Sequence, residues 1–174
     1  MVLLLLVVFT TPVAGQSFVS QTGHVEFLSN VPFHSFVGSS DVLTGEIDLK
    51  DSTVDFYVDL ESVRTGNRKR DKDMRKTLDT NTHPFAEFYG SLQTGVDSLL
   101  KGPQPVRVSG DFSIHGITLP IEVSGTVEFV DDELEVVSEF RLLLDDFDIH
   151  PPRLLFFKVD QEQQVSLRAR LHRK

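Results

Sequence analysis

Seven cations fall between residues 64 and 76 of an otherwise acidic chain: Arg64, Arg68, Lys69, Arg70, Lys72, Arg75 and Lys76, against a formal net charge of −9. A guanidinium offers two parallel N–H donors to a carboxylate or phosphate, so Arg64, Arg68 and Arg70 are candidate contacts for an anionic head group such as a pyrophosphate. Asp71, Asp73 and Asp79 are interleaved with them. The plainer reading of the run is therefore a solvated helix with internal ion pairs, in which Arg70-Asp71 fixes the helix against a strand edge and Thr65-Gly66 is a turn that leads into it. The histidines, His24, His34, His83, His115, His150 and His172, are scattered, with no pair at helical ligand spacing, so no metal site is expected. His115 precedes Gly116 at an expected hairpin corner, where bonding to backbone is the natural role. Asp145, Asp146 and Asp148 lack the glycine and terminal glutamate of a calcium loop. No Gly-x-Ser-x-Gly elbow, phosphate-binding glycine loop or His-Glu-x-x-His stretch occurs, and no cysteine is available as nucleophile, thiolate ligand or disulfide partner. The chain is not expected to be an enzyme or to carry a cofactor.

The elements that would position these groups are strands. Residues 53 to 60 alternate strictly, with Val54, Phe56, Val58 and Leu60 on one face and Thr53, Asp55, Tyr57 and Asp59 on the other. The same period runs through 106 to 114 and 121 to 129, and less regularly through 18 to 28, 31 to 37, 43 to 49, 85 to 92, 134 to 144 and 163 to 171. Turn chemistry separates these stretches at Asp41, Lys50-Asp51-Ser52, Gly102-Pro103, Gly116 and Asp131-Asp132. About eight or nine half-buried antiparallel strands result, which favours a sandwich or a barrel. Gly45, Gly110 and Gly125 lie within apolar stripes, where a missing side chain lets a strand bend or admits a close neighbour; a barrel with a ligand fits that better than a flat sandwich. Residues 67 to 79, charged and with Met74 and Leu78 four apart, read as the one short helix, and Asn81-Thr82-His83-Pro84 ends it.

At 174 residues, with 40% hydrophobic and 25% charged side chains, the chain suits one folded domain. Residues 1–15 carry an apolar run from Val2 to Phe9 and a small-residue stretch before Gln16. They read as a signal peptide, leaving a domain at 16–174 in the periplasm or outside the cell. The run is too short for a spanning helix, so no stable membrane anchor is expected, and the acidic surface disfavours nucleic acid. The supply of phenylalanine (14, with 2 tyrosines and no tryptophan) and the apolar stripes on nearly every strand leave two interiors open: a barrel filled by its own side chains, or a hollow one holding an apolar ligand. In the second case the candidate wall residues are Phe56, Val58, Phe88, Phe112, Ile114, Val123, Val127, Phe140 and Leu142. A homodimer is also an admissible assembly.

Several blocks occur in a telling order: Ser62-Val63-Arg64-Thr65-Gly66-Asn67, Arg70-Asp71, His83-Pro84, Phe88, and Val108-Ser109-Gly110-Asp111-Phe112-Ser113-Ile114-His115-Gly116-Ile117-Thr118. In these the chain resembles the YceI family over residues 18–172. Two departures are visible: the first strand lacks the family's Asp-x-x-His-Ser pattern, and Asp111-Phe112-Ser113 replaces its usual Leu-Thr. The resemblance implies an extended, lipocalin-like antiparallel barrel with one short helix, whose interior takes a polyisoprenoid or an isoprenoid quinone. Each five-carbon unit of such a tail offers roughly 3–4 kcal/mol of gross burial energy, so a long tail binds tightly even after ordering costs. The competing reading is a filled barrel that contacts a protein partner.

Overall fold

The computed structural model describes residues 17–31, 34–151 and 159–174; the leader expected at residues 1–15 lies outside them. Eight antiparallel strands run in chain order: β1 (Ser17–Val31), β2 (His34–Asp48), β3 (Thr53–Asp59), β4 (Phe85–Leu92), β5 (Gln104–Ile114), β6 (Ile117–Val130), β7 (Glu133–Leu143) and β8 (Glu162–Arg173). Each pairs with its sequence neighbours, and β8 returns to β1 to close the barrel. Closure leaves no unpaired sheet edge. One helix, α1 (Arg68–Thr77), and two short 3-10 turns, Leu60–Ser62 and Leu144–Phe147, sit at the same end as the β5–β6 hairpin.

Alternation becomes burial as the strand period requires. Val54, Phe56, Val58 and Leu60 all face inward and are buried, whereas Asp55 and Tyr57 face out. The β5–β6 hairpin turns through two residues, His115 at φ 56° and Gly116 at φ 77°, between the paired Ile114 and Ile117. Positive φ at both central residues is what a tight hairpin of matching twist needs. Gly90 and Gly110 face each other across β4 and β5. A methyl group added to Gly110 would stand 2.3 Å from the Tyr89 carbonyl oxygen and 2.5 Å from Gly90 Cα, so the close backbone approach itself dictates glycine.

The stretches 31–37 and 43–49 read as separate strands, but their described residues from His34 to Asp48 form one strand, β2 (residues 32 and 33 lie outside the described residues), and Asp41 is not a turn. The reason is a phase slip. Asp41 and Val42 are both exposed between buried Ser40 and Leu43, and on β1 Gln21 and Thr22 are both exposed between Ser20 and Gly23. The β1–β2 register shifts at this point. A bulge of this kind interrupts period two without ending the strand, and it frees Asp41 to bond His24 Nδ1 at 2.6 Å on the outside.

The two halves of the interior differ. Where β1 begins and β8 ends, Phe18, Ile47, Val127, Leu134 and Leu171 are at most 2% exposed and fill the barrel. The Phe18 ring meets Phe129 edge-on at 5.9 Å. Toward the helix the packing opens.

Candidate functional site

In that upper half lies a cavity of about 400 Å³. Its walls come from every strand except β6, and the helix and the Leu144–Phe147 turn complete it. Among the side chains are Phe27, Phe36, Phe56, Phe88, Phe112 and Phe147, with Leu60 and Val63 beneath the helix and Val165 and Leu167 from β8. Exposed Asn67 and Lys69 share the lining with buried Leu60 and Val63, so the cavity reaches the surface alongside α1. A space of this size, apolar inside with a few polar groups at the rim, has the form of a small-molecule site.

Local chemistry holds α1 over the cavity at both ends. Asn67 caps its first turn, its side-chain oxygen accepting from Lys69 N at 3.0 Å and Arg70 N at 3.1 Å. Asp71 is buried and its Oδ1 accepts from both the amide (2.8 Å) and the hydroxyl (2.6 Å) of Thr65. Burial opposes the Asp71 charge. The two Thr65 hydrogen bonds, with the Arg75 and Arg64 guanidiniums, outweigh it and hold this carboxyl below its ordinary range. Arg70 closes the network, donating from Nε to Thr65 Oγ1 and from Nη2 to Thr65 O, both at 2.9 Å. At the far end Arg75 Nε lies 3.1 Å from Glu61 Oε2, and the Thr80 hydroxyl donates to Glu61 Oε1. Asp71 and Arg70 thus fix the helix not to a strand edge, as the plainer sequence reading expects, but to Thr65 in the loop that leads into it, because the closed barrel offers no free edge.

Of the three arginines expected at a head group, only Arg70 lines the cavity, its guanidinium 4.2 Å from the centre of the Phe36 ring. Arg64 is exposed and donates to the Glu61 and Val63 carbonyls, and Arg68 is exposed on the first turn of α1 outside the lining. Helical geometry separates them: residues 68 and 70 are two apart and project in different directions. Lys69, which lines the rim, is paired with Asp73 at 2.7 Å.

Of the nine expected wall residues, Phe56, Val58, Phe88, Phe112, Ile114 and Leu142 line the upper cavity. Val123 and Val127 line a separate lower one of about 70 Å³, which Phe56 and Phe88 also touch. Phe140 lines neither; its ring packs edge-on against Phe112 at 6.1 Å. Missing from that set are Val25, Phe27 and Phe36 on the irregular β1 and β2, and Phe147 and Ile149 after β7. Met74 and Leu78, four apart in sequence, both line the cavity from α1 and its C-cap. Phe147 and Ile149 lie outside any strand, so alternation cannot reveal them. His115 holds Phe147, donating from Nδ1 to its carbonyl at 3.0 Å, which is the backbone role its corner position suggests.

Ser29 stands out in the lining. It is fully buried, and among the described residues its hydroxyl has no hydrogen-bond partner. An unpaired buried hydroxyl costs about 1–3 kcal/mol, so Ser29→Ala is expected to raise the urea midpoint of the ligand-free protein. A lowered midpoint would show that the hydroxyl is satisfied in solution.

Comparison with known proteins agrees with this architecture. A UPF0312 protein of Vibrio parahaemolyticus is 30% identical over 123 residues and one of Vibrio campbellii 28%, covering 67% of this chain; the match spans 62% of the length of each relative. Among solved structures, a polyisoprenoid binding domain from Saccharophagus degradans implicated in plant cell wall breakdown superposes with a TM-score of 0.79 at 20% identity, over 92% of this chain and 99% of that one. Burkholderia cenocepacia BcnA gives 0.70 at 14% identity, over 86% and 95%. These likenesses establish the closed barrel as a shared fold. The YceI-like domain itself matches residues 15–171, and the chain belongs to that family.

Proposed function

We propose that this protein binds, without transforming it, a long apolar molecule of the polyisoprenoid or isoprenoid quinone class, the tail in the upper cavity and the polar end toward α1. The observation that carries the reading is the cavity of about 400 Å³ with an almost wholly apolar wall. It has the capacity for a prenyl tail, and the charged pair in its lining, Lys69 with Asp73, belongs to the helix at the rim. The polyisoprenoid binding by the Saccharophagus domain of the same fold supports the ligand class. Arg70, at the rim over Phe36, is the arginine of the original three best placed to meet a head group. A filled barrel serving only as an interaction domain leaves the upper cavity without a role.

The apolar leader favours export, and with it a role as a carrier or store for a lipid in the periplasm or outside the cell. The test is mass spectrometry of an organic extract from protein purified without detergent after export in a bacterial host. A stoichiometric prenylated species is expected. If none co-purifies and added quinones and polyprenols also fail to bind, the reading is wrong.

A further inference from the structure

The upper and lower cavities, about 400 and 70 Å³, are separated within one barrel. Among the described residues, three line both: Phe56, Phe88 and Leu167. Phe56 and Phe88 are direct partners across β3 and β4. Leu167 comes from β8, four strands from β4 in either direction around the closed order, hence from the facing wall. The three side chains lie where the two cavities adjoin.

The two rings have defined seats. A methyl group built on Gly45 would stand 2.1 Å from Phe56 Cε1, and methyl groups on Gly90 and Gly110 would stand 2.8 and 2.9 Å from Phe88 Cζ. Each ring therefore lies against bare backbone, which holds it at this level of the bore. Below it the lower cavity is bounded by Val106, Val108, Val123, Val127 and Val136. Of the two serines there, Ser138 is satisfied, its Oγ donating to the Ser124 carbonyl at 2.9 Å. The space is apolar, with two rings and a leucine between it and the upper cavity.

We propose that Phe56, Phe88 and Leu167 are the residues that set ligand length: together they act as a septum that stops the tail in the upper cavity, and the lower cavity is reserve space that a tail enters only when the septum is cut. This rests on the apolar-ligand reading above. Burial of apolar carbon stabilises binding in proportion to the carbon accommodated, so affinity rises with each prenyl unit until the tail meets the septum and then stops rising.

The experiment is native mass spectrometry of the purified protein with an equimolar mixture of polyprenols of increasing prenyl number. The wild type is expected to show a bound-length maximum. In Phe88→Ala that maximum moves up by at least one prenyl unit, and the first length beyond the wild-type maximum is enriched roughly tenfold relative to wild type. Phe88→Leu, the milder cut that preserves folding if Phe88→Ala does not, moves it in the same direction. Adding Val123→Phe to Phe88→Ala refills the lower cavity and restores the wild-type maximum. If polyprenols bind but every folded variant keeps the same length profile, the septum is not the ruler and the inference is overturned. If no polyprenol of any length binds the wild type, it is the ligand reading that fails, and the length inference goes with it.

Discussion

Ile114→Asp is expected to weaken apolar-ligand binding at least a hundredfold while the barrel stays folded. Ile114 is the last residue of β5, half-buried, and part of the upper cavity wall. In the ligand-free protein a carboxylate there faces a cavity that reaches solvent beside α1. When a tail fills the cavity, that charge must be covered by hydrocarbon, at a cost of several kcal/mol. Every 1.4 kcal/mol is tenfold in affinity, so roughly 3 kcal/mol already gives the hundredfold loss. Position 114 separates binding from stability better than Phe112 does. Phe112 is buried and contacts the rings of Phe140 and Phe147, and a charge there would unfold the core. Titration of Ile114→Asp and Ile114→Val with the same quinone, beside their melting curves, decides the matter. Equal affinities in the two variants would place the ligand somewhere other than this cavity.

The second large effect is on the helix clamp. Asp71→Ala removes the acceptor for both the Thr65 amide and hydroxyl, leaving two buried donors unpaired and Arg70 without its fixed neighbour. A loss of about 2–4 kcal/mol follows from orphaning buried partners of a charged group. The pH dependence identifies the cause. Asp71 in the folded protein has its pKa lowered, so the unfolded chain takes up the proton more readily and acid favours unfolding. The stabilisation is fully present above the unfolded value of about 3.9 and is lost as pH falls through the lower folded value. The urea midpoint of Asp71→Ala is therefore expected to fall less steeply than that of the wild type below about pH 4. Parallel acid limbs would mean that Asp71 carries no such linkage. Because Arg70 and Lys69 stand on the same helix, a loosened clamp should also weaken discrimination between ligands that differ only in their polar end.

Strand identity was legible wherever alternation was unbroken. Residues 53–60, 106–114 and 121–129 correspond to β3, β5 and β6, and the helix expected over 67–79 is α1 at 68–77. The break at Asp41 misled because a bulge and a turn leave the same trace in sequence, two outward residues in a row. Only the partner strand tells them apart: β1 continues to pair past the slip.

The site was legible by face and not by height. Period two states that Phe56, Phe112, Val123 and Val127 point inward, and they do. It carries no information on how far along the bore each one sits, which depends on the tilt and stagger of neighbouring strands. For that reason Val123 and Val127 fall in the lower cavity, and Phe140 turns its ring onto Phe112 rather than into open space. The basic run shows the same limit. Composition revealed an unusual concentration of cations, but rotation about the helix axis sent Arg70 to the rim and left Arg68 outside it.

What the sequence by itself determined is the all-β class, the single helix, the inward face of each regular strand and the membership implied by the ordered blocks from Ser62 to Thr118. These follow from local periodicity and turn chemistry, which each segment carries within itself. Tertiary structure alone decided that the large cavity lies at the helix end and only a small one below it, that Asp71 is a buried clamp, and that Phe56, Phe88 and Leu167 line both cavities. Those outcomes depend on side chains brought together by strand register across the closed sheet, from positions as far apart as 56 and 167, and no local pattern encodes that juxtaposition.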